Sequence, residues 1–124
     1  MILRTGVDLV ETARIAEAIE RNGERFMKRI FTPAEVELSG GRLPSLSGRY
    51  AAKEAVSKAF ATGIGDMRWV EIEILQDDRK APQLVLHGNA AKIAAELGLT
   101  TWSISISHTE SHAVGMAVAL GEGL

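Results

Sequence analysis

Residues 49–60 read Arg49-Tyr50-Ala51-Ala52-Lys53-Glu54-Ala55-Val56-Ser57-Lys58-Ala59-Phe60, and this stretch decides the fold. Ser47 has the chemistry of an N-cap, and the pattern predicts a helix from there to about Ala61. Ala51, Ala52, Ala55, Val56, Ala59 and Phe60 fall on one side, which the periodicity assigns to the core. Arg49, Lys53, Glu54, Ser57 and Lys58 span the other. Four alanines on the buried side allow close approach to a neighbour, and a helix held rigidly is a good carrier of a ligating side chain. Glu54 and Lys58 stand i, i+4 in the favoured order. Alone they read as a solvated helix pair contributing roughly 0.2–0.5 kcal/mol.

The N-terminal stretch changes the weight of that pair. Ile2 to Leu9 reads as a strand that delivers Asp8 near its end. A lone aspartate there is commonly a turn or cap residue. Asp8 and Glu54 together are two carboxylates far apart in sequence, the second flanked by lysines. Mg²⁺ takes one or two protein carboxylates, keeps waters, and lets substrate phosphates complete its octahedron. The pattern therefore suits a magnesium-held diphosphate.

Further along, an amphipathic helix is predicted over residues 12–30, with Ile15, Ile19, Phe26 and Ile30 as its apolar stripe. Prolines, paired glycines and serines over residues 32–47 predict loop, with Pro33-Ala34-Glu35 able to start a short turn after Thr32. Residues 69–75 alternate as a half-buried strand, with Val70, Ile72 and Ile74 on one side and Glu71 and Glu73 on the other. A turn then leads to a second strand at 83–87, giving a hairpin. Ala90 to Leu97 reads as a short helix capped by Asn89 and ended by Gly98. Trp102, Ile104 and Ile106 alternate again, and residues 112–120 complete the sheet. Mixed helices and antiparallel pairs make the fold class α+β.

With 124 residues and 46% hydrophobic content, one globular domain spanning 1–124 is expected, and oligomerisation would help so short a chain. No cysteine is present, so thiol catalysis and zinc–thiolate sites are excluded. No apolar run approaches the roughly 18 residues of a membrane span. The N-terminus meets an acid too early for a signal peptide, so a cytoplasmic location is expected. A net charge of −2 argues against general nucleic-acid binding. Arg14, Arg21, Arg25 and Lys28 nevertheless fall on one face of the predicted helix 12–30, flanked by Glu17, Glu20 and Glu24. Taken alone that is a surface helix laced by Glu17–Arg21 and Glu24–Lys28 pairs.

Taken together, four motifs resemble the short phosphopantetheinyl transferases, the holo-[acyl-carrier-protein] synthases. They are Gly6-Val7-Asp8, the run Arg49 to Ala59, Thr62-Gly63-Ile64-Gly65, and Ser103-Ile104-Ser105-Ile106-Ser107-His108, in the family's order over nearly the whole length. The departures are mild: Tyr50 where Phe is common, Ala61 where Gly often stands, and Ala81-Pro82 where Gly-Lys-Pro is usual. The resemblance implies a homotrimer whose cofactor cleft lies between protomers. The implied reaction is Mg²⁺-dependent transfer of 4′-phosphopantetheine from coenzyme A to a serine of apo acyl carrier protein, in support of fatty-acid biosynthesis. It gives Asp8 and Glu54 the metal and Lys58 the charge on the leaving side; Glu54, directly or through a metal-bound water, is the favoured base. Arg49, Lys53, Lys58, Gly63, Gly65, Ser107 and His108 would bind coenzyme A, Arg49 and Lys53 gripping the phosphates of its nucleotide. The stripe Arg14, Arg21, Arg25 and Lys28 would steer an acidic carrier.

Each piece also has a plainer reading. Glycines after a helix commonly just end it, and a single histidine is commonly a structural hydrogen-bonder. His87 and His112 receive no role. No Walker sequence, no zinc spacing and no serine-nucleophile elbow occurs. Two other functions stay open on sequence: a non-catalytic module that binds nucleotide or docks a carrier, and a Mg²⁺-dependent phosphohydrolase.

Overall fold

Strand β1 (Ile2–Glu11) opens the chain in the computed structural model, which describes residues 1–124. Its alternation is strict around the middle. Gly6 and Val10 are buried, whereas Leu3, Thr5, Val7 and Leu9 face outward. Asp8 shares the inward parity of Gly6 and Val10 and is only partly exposed.

The predicted single helix over 12–30 is two helices, α1 (Thr12–Asn22) and α2 (Glu24–Ile30). Gly23 separates them at φ 50°, ψ −123°, a conformation outside the helical region that glycine adopts without a Cβ penalty. The apolar stripe survives the break: Ile15 and Ile30 are buried, and Ile19 and Phe26 pack on the same clusters. Helix α3 (Pro33–Ser39) follows a complete capping box, Thr32 and Glu35 each accepting the other's backbone N–H.

Helix α4 (Leu43–Ala59) begins earlier than the expected Ser47 cap, with Pro44 in its first turn. Ser47 is instead an interior residue, fully buried, with no partner for its hydroxyl. The six apolar positions are buried as the pattern required. The other side is not a solvent face, however. Arg49, Lys53 and Ser57 are buried too, leaving Glu54 half-buried and Lys58 exposed. The cause is position: α4 lies across β1 and β5 on one side and meets β2 and α3 on another.

The remaining elements are a 3₁₀ turn (Trp69–Glu71), β2 (Ile72–Gln76), β3 (Pro82–Leu86), α5 (Gly88–Glu96), β4 (Thr101–His108) and β5 (His112–Gly121). Trp69 to Glu71 therefore precedes the strand rather than starting it, and α5 is entered through His87 rather than Asn89. The hairpin β2–β3 is antiparallel with Ile74 opposite Leu84. The main sheet runs β1-β5-β4, antiparallel throughout, with Asp8 opposite Gly115 and Ser105 opposite Met116. The largest core cluster joins Ala52, Ala55, Val56 and Phe60 of α4 to Ile72, Ile74, Ala117 and Ala119 of the strands. No helix is long and apolar enough to cross a membrane.

Candidate active site

Asp8 and Lys58 meet across fifty positions of sequence. Lys58 Nζ donates to Asp8 Oδ1 at 3.1 Å and to the carbonyl oxygen of Val7 at 3.0 Å. One ammonium N–H is left over, and the side chain is half exposed. Glu54, one turn before Lys58, shares its side of α4. Burial first, then the Asp8 charge, pushes the Glu54 carboxyl above its ordinary value; Lys58 and Ser57 oppose that rise. The site is thus two mutually repelling carboxylates with one lysine at their edge.

That donor set fits Mg²⁺. Two carboxylates are what a magnesium ion bridging substrate phosphates takes from a protein, and a cation between them would relieve their repulsion. No group of three or more ligating side chains comes together, so the set is not a closed protein cage.

β1 reaches α4 closely because both surfaces are bare. An ideal Cβ on Gly6 would lie 1.8 Å from the carbonyl oxygen of Ala55, and one on Gly115 would lie 2.4 Å from the nitrogen of Ala52. Glycine two residues before Asp8 thus lets the strand rest on the helix backbone, with Asp8 on the same side of the strand.

Lys53 does not belong to this surface. It is fully buried, and its ammonium donates to Glu35 Oε1 at 2.7 Å, Ile72 O at 2.7 Å and Trp69 O at 3.1 Å. All three donors are used inside the protein, so the expected phosphate-gripping role is corrected to a structural one. Burial draws the Lys53 ammonium below its usual value, and Glu35 works against that. Glu35, equally buried, also accepts from the backbone N–H groups of Thr32 and Ile74 at 2.9 and 2.8 Å. Sequence reading gave Glu35 only a place in a turn. The spacing Thr32-Pro33-Ala34-Glu35 carried the capping signal, but nothing in it pointed to Lys53.

On another side of α4 lies a cavity of about 420 Å³, lined by Arg42, Arg49, Lys80 and His108 among others and by no acidic side chain. Arg49 is fixed there by bonds to Ile74 O at 3.0 Å and Ser45 Oγ at 2.6 Å. Burial lowers the Arg49 guanidinium from its usual value; Glu35 opposes this and Arg42 adds to it. Arg42 and Lys80 were not singled out from sequence, because each sits in a stretch that reads as turn. Ser107 does not join His108. Its register partner is Val114 on the outer face of the sheet, while His108 has the opposite parity and lines the cavity. Gly63 and Gly65 lie in the loop after α4 and line neither this cavity nor the Lys58 surface.

The basic residues on α1 and α2 are all exposed. Arg21 pairs with Glu17 at 2.7 Å and Lys28 approaches Glu24 at 3.9 Å, the two pairs that the spacing predicted. The break at Gly23 divides the expected continuous line between two helices. Tyr50 links this region to the carboxylates. Its ring stacks on Phe26 of α2 (6.5 Å) and on Trp69 (4.8 Å). Its hydroxyl is raised above its ordinary value by burial and then by Glu54, with Asp8 adding and Arg14 and Arg29 opposing. Arg29, passed over in the sequence, thus acts on the same hydroxyl as Arg14.

A strand-borne aspartate, a helix-borne glutamate and lysine, and an α+β frame of this topology define a known class. The chain belongs to the 4′-phosphopantetheinyl transferase superfamily, whose sequence model matches residues 4–117. It is 45% identical over 123 residues to the holo-[acyl-carrier-protein] synthase of Alkaliphilus metalliredigens, covering 96% of this chain and 99% of the other. Identity to the same enzyme of Koribacter versatilis is 42% over 122 residues, covering 95% and 98%. Among solved structures, the Helicobacter pylori holo-[acyl-carrier-protein] synthase in complex with coenzyme A superposes with a TM-score of 0.86 at 31% identity, covering 94% and 99%. The Chronobacterium ammoniagenes ACPS–CoA complex gives 0.87 at 30%, covering 98% and 99%.

Proposed function

We propose that this chain transfers 4′-phosphopantetheine from coenzyme A to a serine of an apo acyl carrier protein, in the cytoplasm and in the service of fatty-acid synthesis. The convergence of Asp8, Glu54 and Lys58 carries the reading: a superfamily member that only bound nucleotide would need no half-buried carboxylate pair.

Asp8 and Glu54 would hold Mg²⁺, which when bound neutralises charge on the diphosphate. Lys58 has one N–H free for the phosphate side, and its other two bonds aim it there. The serine hydroxyl attacks the β-phosphorus, the bond from that phosphorus to the bridging oxygen breaks, and adenosine 3′,5′-bisphosphate leaves. Glu54 takes the serine proton. The cavity lined by Arg42, Arg49, Lys80 and His108 suits the nucleotide phosphates. Arg14, Arg21, Arg25 and Lys28 form the approach for an acidic carrier.

A homotrimer completes this reading. Glu54 and Arg49 are five residues apart on α4, which turns them about 140° from each other. One protomer therefore offers its carboxylates and its cationic cavity in different directions, and a second copy is needed to bring the two sets onto one ligand. The outer sheet face has the apolar surface for that contact: Leu3, Val7, Leu9 and Met116 are 62%, 58%, 66% and 46% exposed. A fully active monomer by light scattering would refute the trimer.

Intact-mass spectrometry of an apo fatty-acid carrier protein, incubated with this protein, coenzyme A and Mg²⁺, tests the activity. A gain of one phosphopantetheinyl group, absent with Asp8→Ala and with EDTA, is the expected result. Release of free phosphopantetheine without carrier modification would make the protein a hydrolase. No turnover with coenzyme A still bound would make it a binding module.

A further inference from the structure

The buried ion pair between Glu35 and Lys53 sits one residue from the carboxylate Glu54. Its bonds leave no slack. Lys53 uses its three N–H donors on α3, the 3₁₀ turn and β2, while Glu35 uses both oxygens on Lys53, Thr32 and Ile74. Arg49 and Tyr50, about one turn earlier, hold α4 to Ile74, Phe26 and Trp69, and Val56 and Phe60 pack in the core. On the side toward β1 and β5, however, the helix meets surfaces with little to interlock. Gly6 and Gly115 meet the helix backbone, and Ala51, Ala52 and Ala55 have no length with which to interlock. A rotation of about 20° swings a side-chain end at roughly 5.5 Å from the axis by about 2 Å. Displacement of about 1 Å is already enough to spoil a reacting geometry.

We propose that Glu35 is a positioning residue for the metal-binding carboxylate, acting through Lys53 to fix the rotation of α4 and so aim Glu54 at Asp8. This rests on the reading of Asp8 and Glu54 as the Mg²⁺ carboxylates. Lys53 points inward, Glu54 is the next residue, and the helix fixes the angle between them at about 100°. Locking one locks the other.

The test separates aim from stability. Glu35→Gln and Lys53→Met each leave a buried partner unpaired and should lower the melting temperature. The double variant Glu35→Leu/Lys53→Met leaves no charge stranded and should recover part of that loss, the remainder being the backbone groups of Thr32, Trp69, Ile72 and Ile74 that lose their partners. Mn²⁺ affinity is then measured by the paramagnetic resonance of free Mn²⁺, without coenzyme A or carrier, beside kcat and both KM values. Expected for the double variant is a partly recovered melting temperature with Mn²⁺ bound about tenfold more weakly, the scale seen when an outer partner of a metal ligand is lost. Its kcat falls, while the carrier KM changes little. A partly recovered double variant with parental Mn²⁺ affinity and kcat overturns the proposal. Should the double variant stay unstable, Glu35→Gln measured well below its own melting temperature decides by the same criterion. If the parent binds no Mn²⁺, or Glu54→Gln leaves that binding unchanged, the carboxylate reading itself fails and the positioning role with it. That outcome differs plainly from a failure of positioning alone.

Discussion

Replacing Gly6 with alanine tests the link between close packing and the site most directly. Its new Cβ would fall 1.8 Å from Ala55 O, 2.8 Å from Ala55 C and 3.0 Å from Ala59 N, all backbone atoms that cannot swing aside. Ordinary contact begins at 3.4 Å, so strand and helix must separate by the difference, about 1.6 Å. β1 cannot bulge alone, because it pairs with β5 along its whole length from Ile2 to Glu11. Overpacking of this kind costs about 1–3 kcal/mol. At roughly 4 °C per kcal/mol for a chain of this size, the melting temperature should fall by about 4–12 °C. Asp8 moves with the strand, opening its 3.1 Å contact with Lys58. A misplacement of that size should lower kcat by about 10²-fold. The assay is a thermal melt beside the rate of carrier modification, with Lys92→Ala, exposed on α5, as control. Parental values of both would refute the close-contact reasoning. A lowered melting temperature with an unchanged rate, measured well below it, would confine Gly6 to stability.

Three other outcomes follow from named atoms. Burial and Asp8 hold the Glu54 carboxyl above its ordinary value, so the folded protein binds that proton more readily than the unfolded chain does. The ionised group therefore costs stability above its folded pKa, and the cost fades as pH falls toward the ordinary value of 4.5. Glu54→Gln should accordingly melt higher than the parent at neutral pH without metal and converge with it in acid, while losing activity; a lower neutral melting temperature would count against this. Arg14→Glu with Arg21→Glu should raise the carrier KM about tenfold at low salt and leave that for coenzyme A unchanged, because opposed charge acts on encounter with the acidic partner. Ala61, at φ 64° just past α4, occupies the left-handed region that costs a residue with a Cβ about 1 kcal/mol. Ala61→Gly should raise stability in urea by up to about that amount, less the entropy glycine adds to the unfolded chain.

Much of this was legible in the sequence where one side of an element faces water. The alternation of β2 and β4 and the apolar stripe of α1 and α2 were readable for that reason. α4 was misread on its polar side because periodicity assumes such a side is solvated. Arg49 and Lys53 are instead enclosed by β2 and α3, elements distant from them in sequence, and Ser57 is buried as well. Gly23 divides the predicted helix because its backbone leaves the helical region, while the apolar stripe continues across the break. The opposite facing of Ser107 and His108 follows from strand parity alone, and grouping them by adjacency overlooked it.

The motif residues divide by direction rather than by chemistry. Gly6 lets β1 rest on α4, and Asp8, two positions on, inherits the same side. Lys53 anchors inward, and Glu54 is held beside it. The Val7 carbonyl aims Lys58, the residue that also meets Asp8. Each group that would touch phosphate or metal thus has a structural neighbour within two residues or one hydrogen bond. Substitutions at Gly6 and Lys53 should therefore lower stability and rate together. Those at Asp8 and Glu54 should lower rate alone, since removing either of two repelling carboxylates relieves the metal-free fold. A set in which Asp8→Asn proved as destabilising as Lys53→Met would contradict that division, because it would make the carboxylate itself part of what holds the strand to the helix.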